Sequence, residues 1–256
     1  MDTPPKLRLF VQASLNDGAL VPLGPDQAHY LLNVMRAAAG TAVALFNGQD
    51  GEWLADLEQT GKKTAQLLVR RQLRPQAVEP DLWLLFAPVK RARIDFITEK
   101  ATELGVSVLQ PVWTRRTVMS RVNDDRLSAI AREAAEQCER LSVPDLRPAR
   151  DLDDLLASWP QDRRLILLDE GGGGRPVAEA LADLPPGPAA VLVGPEGGFA
   201  KSELDALRSL SFAVPVGLGP RILRADTAVL AALSCYQALC GDWRQNPAFR
   251  QATSSS

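Results

Sequence analysis

The sequence predicts an α/β protein with a parallel sheet, preceded by a small β-rich barrel domain, and three observations carry that prediction. Up to residue 74 the chain consists mainly of short strand-type runs around one helix. A polar stretch twice interrupted by proline follows, Arg74-Pro75-Gln76-Ala77-Val78-Glu79-Pro80. Beyond it, apolar strand runs alternate with segments of helical periodicity. The expected organisation is a first domain over 1–74, a linker over 75–80, a second domain over 81–245 and a frayed tail over 246–256.

In the first domain, Leu7 to Val11 reads as a strand, and Pro25-Asp26 opens a helix through Arg36 that Gly40 can close. Thr41 to Phe46 and Trp53 to Leu57 flank Asn47-Gly48-Gln49-Asp50-Gly51, whose Asn and Gly residues suit the positive φ angles of a hairpin turn, and Thr64 to Arg71 adds a strand. In the second domain, Leu82 to Ala87 and Val106 to Val112 read as buried strands. The helix between them presents Ile94, Ile97, Ala101 and Leu104 on one face, and Gly105 can cap it. Asn123 or Asp124 can cap a helix running from Leu127 to Leu141, which Val143-Pro144 stops. Leu165 to Leu168 and Val191 to Val193 are short apolar runs entering glycine-rich loops, as core strands of a parallel sheet do. The helix from Ala225 to Leu239 is apolar nearly all round, which implies burial against the sheet or a partner chain.

Composition excludes several classes of function. The 256 residues carry 29 Lys plus Arg against 31 Asp plus Glu, and net charges over the first 75 residues, the next 75 and the remainder are +1, +1 and −4. Any nucleic-acid footprint is therefore a local patch rather than a basic coat. With one histidine, His29, a Ser-His-Asp hydrolase is improbable, and three cysteines without zinc spacing point to no metal and to a reducing, cytoplasmic setting. The start of the chain lacks the apolar run of a secretion signal, and the longest apolar stretch, Leu82 to Val89, is far short of the roughly 20 residues that span a bilayer.

Two segments carry chemistry. Val193-Gly194-Pro195-Glu196-Gly197-Gly198-Phe199 leaves an apolar strand and precedes the helical stretch Lys201 to Leu210, the place where a parallel sheet binds ligands. A Walker A loop would need glycines where Pro195 and Ala200 stand, and no G-x-G-x-x-G follows a strand, so nucleoside-triphosphate and Rossmann sites are unsupported. The run Gly171 to Gly174 reads as a flexible surface loop. The second segment is Gly217-Leu218-Gly219-Pro220-Arg221-Ile222-Leu223-Arg224-Ala225-Asp226-Thr227-Ala228. Asp226 or Thr227 could cap the last helix, and a catalytic role for Asp226 stands equally beside capping. Arg221 and Arg224 interrupt an apolar stretch, where a guanidinium needs an anionic or carbonyl partner.

Gly194-Pro195-Glu196-Gly197-Gly198-Phe199 followed by Leu218-Gly219-x-Arg221-Ile222-Leu223-Arg224-x-Asp226-Thr227-Ala228 resembles the bacterial 16S ribosomal RNA uridine N3-methyltransferases, the RsmE family of the SPOUT methyltransferases. Further matches run in order from Arg8-x-Phe10-Val11 through His29-Tyr30-Leu31, Arg36, Lys90, Glu99 to Gly105, Pro111, Arg115-Arg116, Glu136-Gln137-Cys138-x-Arg140 and Pro144, so the resemblance spans Arg8 to about Leu239. Met35, where the family more usually has Leu, and the four-glycine loop depart from the pattern. The resemblance implies a PUA-like RNA-binding barrel, a SPOUT α/β methyltransferase domain with a C-terminal trefoil knot, a homodimer, and S-adenosylmethionine as cofactor. It implies a cofactor pocket of Leu168, Gly194, Pro195, Glu196, Gly197, Gly198, Leu218, Gly219, Ile222, Leu223 and Thr227.

The substrate it implies is 16S rRNA within the small ribosomal subunit, with no membrane partner. Arg224 is the first choice to stabilise charge on the uracil carbonyls. Glu196 and Asp226 are alternative proton acceptors, beside water and beside a purely loop-fixing role. Arg8, His29, Arg36, Lys90, Arg115, Arg116, Arg121 and Arg221 are the expected RNA contacts, and Lys62, Lys63, Arg70, Arg71, Arg74, Arg91 and Arg93 are further candidates for phosphate. The rivals are a knotted methyltransferase acting on another rRNA or tRNA nucleotide and a non-catalytic RNA-binding protein.

Overall fold

A computed structural model describes residues 5–61 and 63–245. Lys62 and the expected tail over 246–256 lie outside the described residues. The chain divides into two compact units, one made of the residues up to Val78 together with Ala135–Val143, the other of Glu79–Ala134 and the chain from Pro144 onward.

The first unit contains β1 (Leu7–Phe10), β2 (Leu20–Pro22), α1 (Pro25–His29), β3 (Ala42–Phe46), β4 (Glu52–Gln59) and β5 (Ala65–Arg74). The strands form one sheet in the order β1-β3-β4-β5-β2, with β1 parallel to β3 and the other pairings antiparallel. Side chains alternate between the faces of a strand, so Leu9, Val21, Val43, Leu45, Ala55, Leu57, Leu67 and Val69, drawn from all five strands, meet in one barrel-like core with Leu31. The Asn47–Gly51 turn forms as expected: the Asn47 side-chain oxygen accepts from the N–H groups of Gln49 and Asp50 at 3.0 and 2.8 Å. Gly51 is at φ 80°, and a Cβ there would lie 2.2 Å from the Arg74 carbonyl.

The expected helix through Arg36 is shorter. After His29 it becomes a π turn over Tyr30–Val34, closed by Met35 N–H donating to Tyr30 O at 2.9 Å, and Arg36 turns left-handed at φ 52°. The widened turn buries Leu31 in the core, and Gly40, at φ 81°, instead shapes the approach to β3 and donates to Leu57 O.

Arg8 and Arg74, expected at the RNA, are interior groups of this unit. Their side chains flank Glu52, with Nε–carboxylate distances of 2.6 and 2.8 Å. Arg8 also donates to the carbonyls of Ala135 and Arg140, Arg74 donates to Glu139 O, and the Arg8 guanidinium lies 3.8 Å over the Phe46 ring. Residues 135–143 thus belong to the unit through backbone carbonyls that two arginines satisfy, and the resemblance at Arg8 reflects this scaffold.

The second unit contains β6 (Leu82–Phe86), α2 (Arg91–Glu103), β7 (Val108–Trp113), α3 (Asp124–Gln137, which runs on into the first unit), β8 (Asp145–Leu146), β9 (Arg150–Asp151) and α4 (Leu152–Ala157). It continues with β10 (Arg164–Leu168), β11 (Arg175–Pro176), α5 (Val177–Ala182), β12 (Ala189–Val193), α6 (Lys201–Arg208), β13 (Ala213–Gly217) and α7 (Ala225–Leu239). Every pairing is parallel, in the order β11-β13-β10-β12-β6-β7-β8, with β9 beside β7. Strands covered on both faces have no polar side to show, and all five residues of β12 are buried. Gly105, at φ 79°, ends α2, and the Asn123 side chain caps α3 by accepting from Arg126 N–H at 3.0 Å. The helix stops at Gln137, short of Leu141, and Glu139 turns left-handed at φ 63°. α7 packs on α2, α5 and β12, which accounts for its apolar circumference.

Burial disfavours the Glu52 carboxylate, but hydrogen bonds from Arg74 and Arg8 outweigh it and hold the group below its ordinary range. A carboxylate depressed in the folded state contributes stability that is present above its unfolded value, about 4.3, and is lost as pH falls through the lower folded one. Glu52→Gln removes the carboxylate charge that the Arg8 and Arg74 guanidinium groups both bind. It is expected to cost about 3 kcal/mol in denaturant unfolding followed by circular dichroism at pH 7, and less at a pH below the folded value.

Candidate active site

Because β12, β10 and β13 are adjacent and parallel, the segments that follow them leave from the same edge of the sheet, and they surround a cavity of about 1170 Å³. Its wall comprises Leu168, the last residue of β10, with Asp169 and Glu170; Val193, the last of β12, with Gly194 to Glu196 and Gly198; and Val216 to Ala225, from the end of β13 to the start of α7. Lys90 and Arg93 at the start of α2, and the start of α5, complete it.

The loop after β12 is held by named contacts. Gly198 N–H donates to Pro195 O at 2.9 Å, and Gly198 sits at φ 65°, where a Cβ would come 2.5 Å from a Glu170 carboxylate oxygen. That same oxygen accepts from Phe199 N–H at 2.7 Å, and Arg116 donates to Gly197 O at 2.9 Å. At Gly194 a Cβ would approach the Phe199 ring to 2.9 Å, so glycine there lets the ring pack on the chain. Arg93 donates to Glu196. Arg115 donates to Ser202 Oγ at 2.7 Å, while its N–H and that of Ala200 both donate to the buried Glu203 carboxylate at 3.1 and 3.2 Å.

The Gly171–Gly174 run lies at the surface, as expected of a loop, with Gly171, Gly172 and Gly173 exposed. Asp169, whose side chain is fully buried, binds Arg208 through two contacts of 2.7 Å and also accepts from Gly171 N–H. A Cβ on Gly173 would strike that guanidinium at 2.6 Å and one on Gly174 would meet the Val216 backbone at 2.5 Å, while Arg175-Pro176 pairs with β13. The run is a fitted strap whose members Gly172 and Gly174 reach the cavity.

In the loop before α7, Gly219 adopts φ 90° with open space where a side chain would stand. Ile222 is 97% exposed, so its apolar surface is available to a ligand, and Arg221 and Arg224 are both exposed in the wall. Arg224 itself is the residue before the helix, with extended backbone. Neither Asp226 nor Thr227 caps α7, contrary to expectation: both lie inside its first turn, and Asp226 accepts only from Thr227 N–H while standing 3.9 Å from Arg93 Nε.

The structure therefore gathers Leu168, Gly194, Pro195, Glu196, Gly198, Leu218, Gly219, Ile222 and Leu223 around one cavity with Lys90, Arg221 and Arg224. Gly197, Asp226 and Thr227 are outside the wall. Arg121 is exposed at a separate shallow depression at the start of α3. In the first unit His29 and Arg36 are exposed, with His29 Nδ1 3.0 Å from the Asn33 side-chain amide. Sequence reasoning missed Asp169, Glu170 and the inward role of Arg93. An acidic pair directly after an apolar strand was the available signal for the first two. Among the described residues no cluster of His, Cys, Asp and Glu could hold a metal ion, and no helix is long and apolar enough to cross a membrane.

Known proteins share this fold. Residues 77–237 match the RNA methyltransferase domain family and residues 23–70 the RNA methyltransferase PUA domain family. The ribosomal RNA small subunit methyltransferase E of Rickettsia conorii is 30% identical over 89% of this chain and 93% of its own length; that of a Synechocystis species is 33% identical over 91% and 77%. The crystal structure of the Neisseria gonorrhoeae ribosomal RNA small subunit methyltransferase E bound to S-adenosyl methionine has a TM-score of 0.82 at 28% identity, covering 93% of this chain and 99% of that one. A putative methyltransferase from Legionella pneumophila with bound cofactor has a TM-score of 0.80 at 29% identity over 92% and 98%. With the domain match spanning the whole parallel sheet and the glycine-bearing loops in place at its edge, the chain belongs to the ribosomal RNA small subunit methyltransferase E family.

Proposed function

We propose that the protein transfers the methyl group of S-adenosylmethionine to N3 of a specific uridine in 16S rRNA of the small ribosomal subunit. The observation that carries this reading is the convergence of two glycine-bearing loops and Arg224 on one cavity, in a chain whose relatives in Neisseria and Legionella hold S-adenosylmethionine in the same fold. The residues fit that cofactor. Open backbone at Gly219 and exposed apolar side chains such as Ile222 suit an adenosine, and the carboxylates of Glu170 and Glu196 offset the cations around a sulfonium. Leu168, Gly194, Pro195, Glu196, Gly198, Leu218, Gly219, Ile222 and Leu223 would hold it, with Gly197 and Thr227 behind them. The cavity exceeds the usual 300–1,000 Å³ of a small-molecule site, leaving room for a nucleotide beside the cofactor.

S-adenosylmethionine supplies a methyl group activated by its positive sulfur. The chain's own work is to align the uracil with that group and to favour loss of the N3 proton. Arg224 stabilises negative charge on the uracil carbonyls and, as a guanidinium, does not take the proton. Glu196 is engaged by Arg93 and Asp226 lies outside the wall, so we assign proton acceptance to water rather than to either carboxylate. Lys90 and Arg221 at the cavity, Arg115, Arg116 and Arg121 elsewhere on the second unit, and His29 and Arg36 on the first supply RNA contacts, chiefly to phosphate. The trefoil knot and the homodimer belong to the same proposal. The knot is what membership of this family implies. A cytoplasmic location follows from a ribosomal substrate.

Incubating the protein and labelled S-adenosylmethionine with small subunits that lack the modification should yield N3-methyluridine on nucleoside mapping. Label in cytidine or guanosine, or in transfer RNA alone, points to the rival knotted methyltransferases, and no label with intact RNA binding points to a non-catalytic protein. Arg224→Ala is expected to lower kcat about 100-fold or more, the cost of a lost oxyanion donor, and near-normal turnover in single-turnover assays removes Arg224 from the mechanism.

A further inference from the structure

We infer that Arg93 is a positioning residue that ties the two glycine-bearing loops of the cavity to each other and to α2, so that the cofactor meets a preformed site. This rests on the cofactor reading above. Arg93 stands in the first turn of α2, and one of its terminal nitrogens donates to Glu196 in the loop after β12. Its Nε lies 3.9 Å from Asp226 in the first turn of α7, immediately after the other loop. One guanidinium therefore bridges segments 30 positions apart in sequence, from Glu196 to Asp226.

The charges favour such a bridge. Among the described residues Arg93 is the only cation within ion-pairing distance of either Glu196 or Asp226. Removing it takes away the cation that both carboxylates share. Both groups are partly shielded, Arg93 at 25% and Asp226 at 22% exposure, so solvent screens the pairing incompletely. A guanidinium presents donors in divergent directions within one rigid plane and can serve both acceptors at once, whereas an ammonium is a single point of charge. Arg93 was a candidate for RNA phosphate, but its charge is already turned toward two carboxylates of its own chain. Asp226 gains a purpose by the same contact: it does not line the cavity and does not cap α7.

The test compares the full-length wild type with Arg93→Ala, Arg93→Lys and Asp226→Asn. Cofactor affinity is read by calorimetry, RNA affinity as a function of salt, and KM and kcat by methyl transfer. Arg93→Ala is expected to weaken cofactor binding about 10-fold or more, the loss of a charge-assisted hydrogen bond, and to raise the cofactor KM in step, with kcat at saturating cofactor within about threefold. Arg93→Lys should lose about fivefold. Asp226→Asn should weaken the cofactor by about twofold in the wild type and not at all when added to Arg93→Ala, because its effect passes through Arg93.

Wild-type cofactor affinity in Arg93→Ala, with RNA affinity reduced and its salt slope smaller by about one, makes Arg93 a phosphate contact and overturns the inference. Wild-type affinity in Arg93→Lys overturns it too, even where the alanine variant fails to fold. A wild type that gives no saturable heat with S-adenosylmethionine overturns the proposed function and this inference together, whereas saturable wild-type binding matched by the variants overturns the inference alone.

Discussion

The pairing of β10 with β12 along one edge and with β13 along the other is the constraint on which the cavity depends. Parallel strands all end on the same side, and three neighbouring ones deliver their loops to a single crevice however far apart those loops are in sequence. Four of the five residues of β10 and all five of β12 are buried, so the middle of the sheet is closed to solvent. The sheet thus behaves as a fixed frame, and what varies functionally is carried by the segments beyond its edge.

Those segments are glycine-rich, yet side chains anchored elsewhere hold them. Glu170 fills the space beside Gly198 and takes the Phe199 N–H; Asp169 draws Arg208 against Gly173; Arg116 binds the Gly197 carbonyl. At Gly198 the missing Cβ makes room for a carboxylate that accepts the Phe199 N–H, and at Gly173 it makes room for the Arg208 guanidinium bound to Asp169. Rigidity here comes from charge-assisted contacts to the main chain. A ligand entering such a site meets backbone already ordered, which spares the entropy of ordering it at the moment of binding.

The first unit uses the same device for a different end. Arg8 and Arg74 reach past Glu52 to the carbonyls that close α3, satisfying acceptors that a helix terminus leaves open and bringing residues 135–143 into the unit. A motif shared with a family can therefore mark scaffold as readily as ligand contact, and only burial separates the two. Arg8, Arg74, Arg115 and Arg116 look alike as basic residues in the chain, but the first two lie within a core network and the last two brace the exposed loop region after β12.

Local chemistry alone determined much of this protein. Unbroken apolar runs such as Val191 to Val193 specified buried strands, the Asn47–Gly51 composition specified its turn, and the continuous apolar surface of Ala225 to Leu239 specified a buried helix, because each signal is contained within a few neighbouring residues. The glycine and arginine motifs likewise singled out both cavity loops. The tertiary structure decided what depends on partners distant in the chain: that the Gly171–Gly174 run is a strap around Arg208, that Arg8 faces inward, that the helix after Pro25 widens into a π turn to seat Leu31, and that Arg93 lies between Glu196 and Asp226. A side chain's charge is written in the sequence, but the group that answers it is chosen by the fold, since strand order and helix packing bring together residues that no local spacing connects.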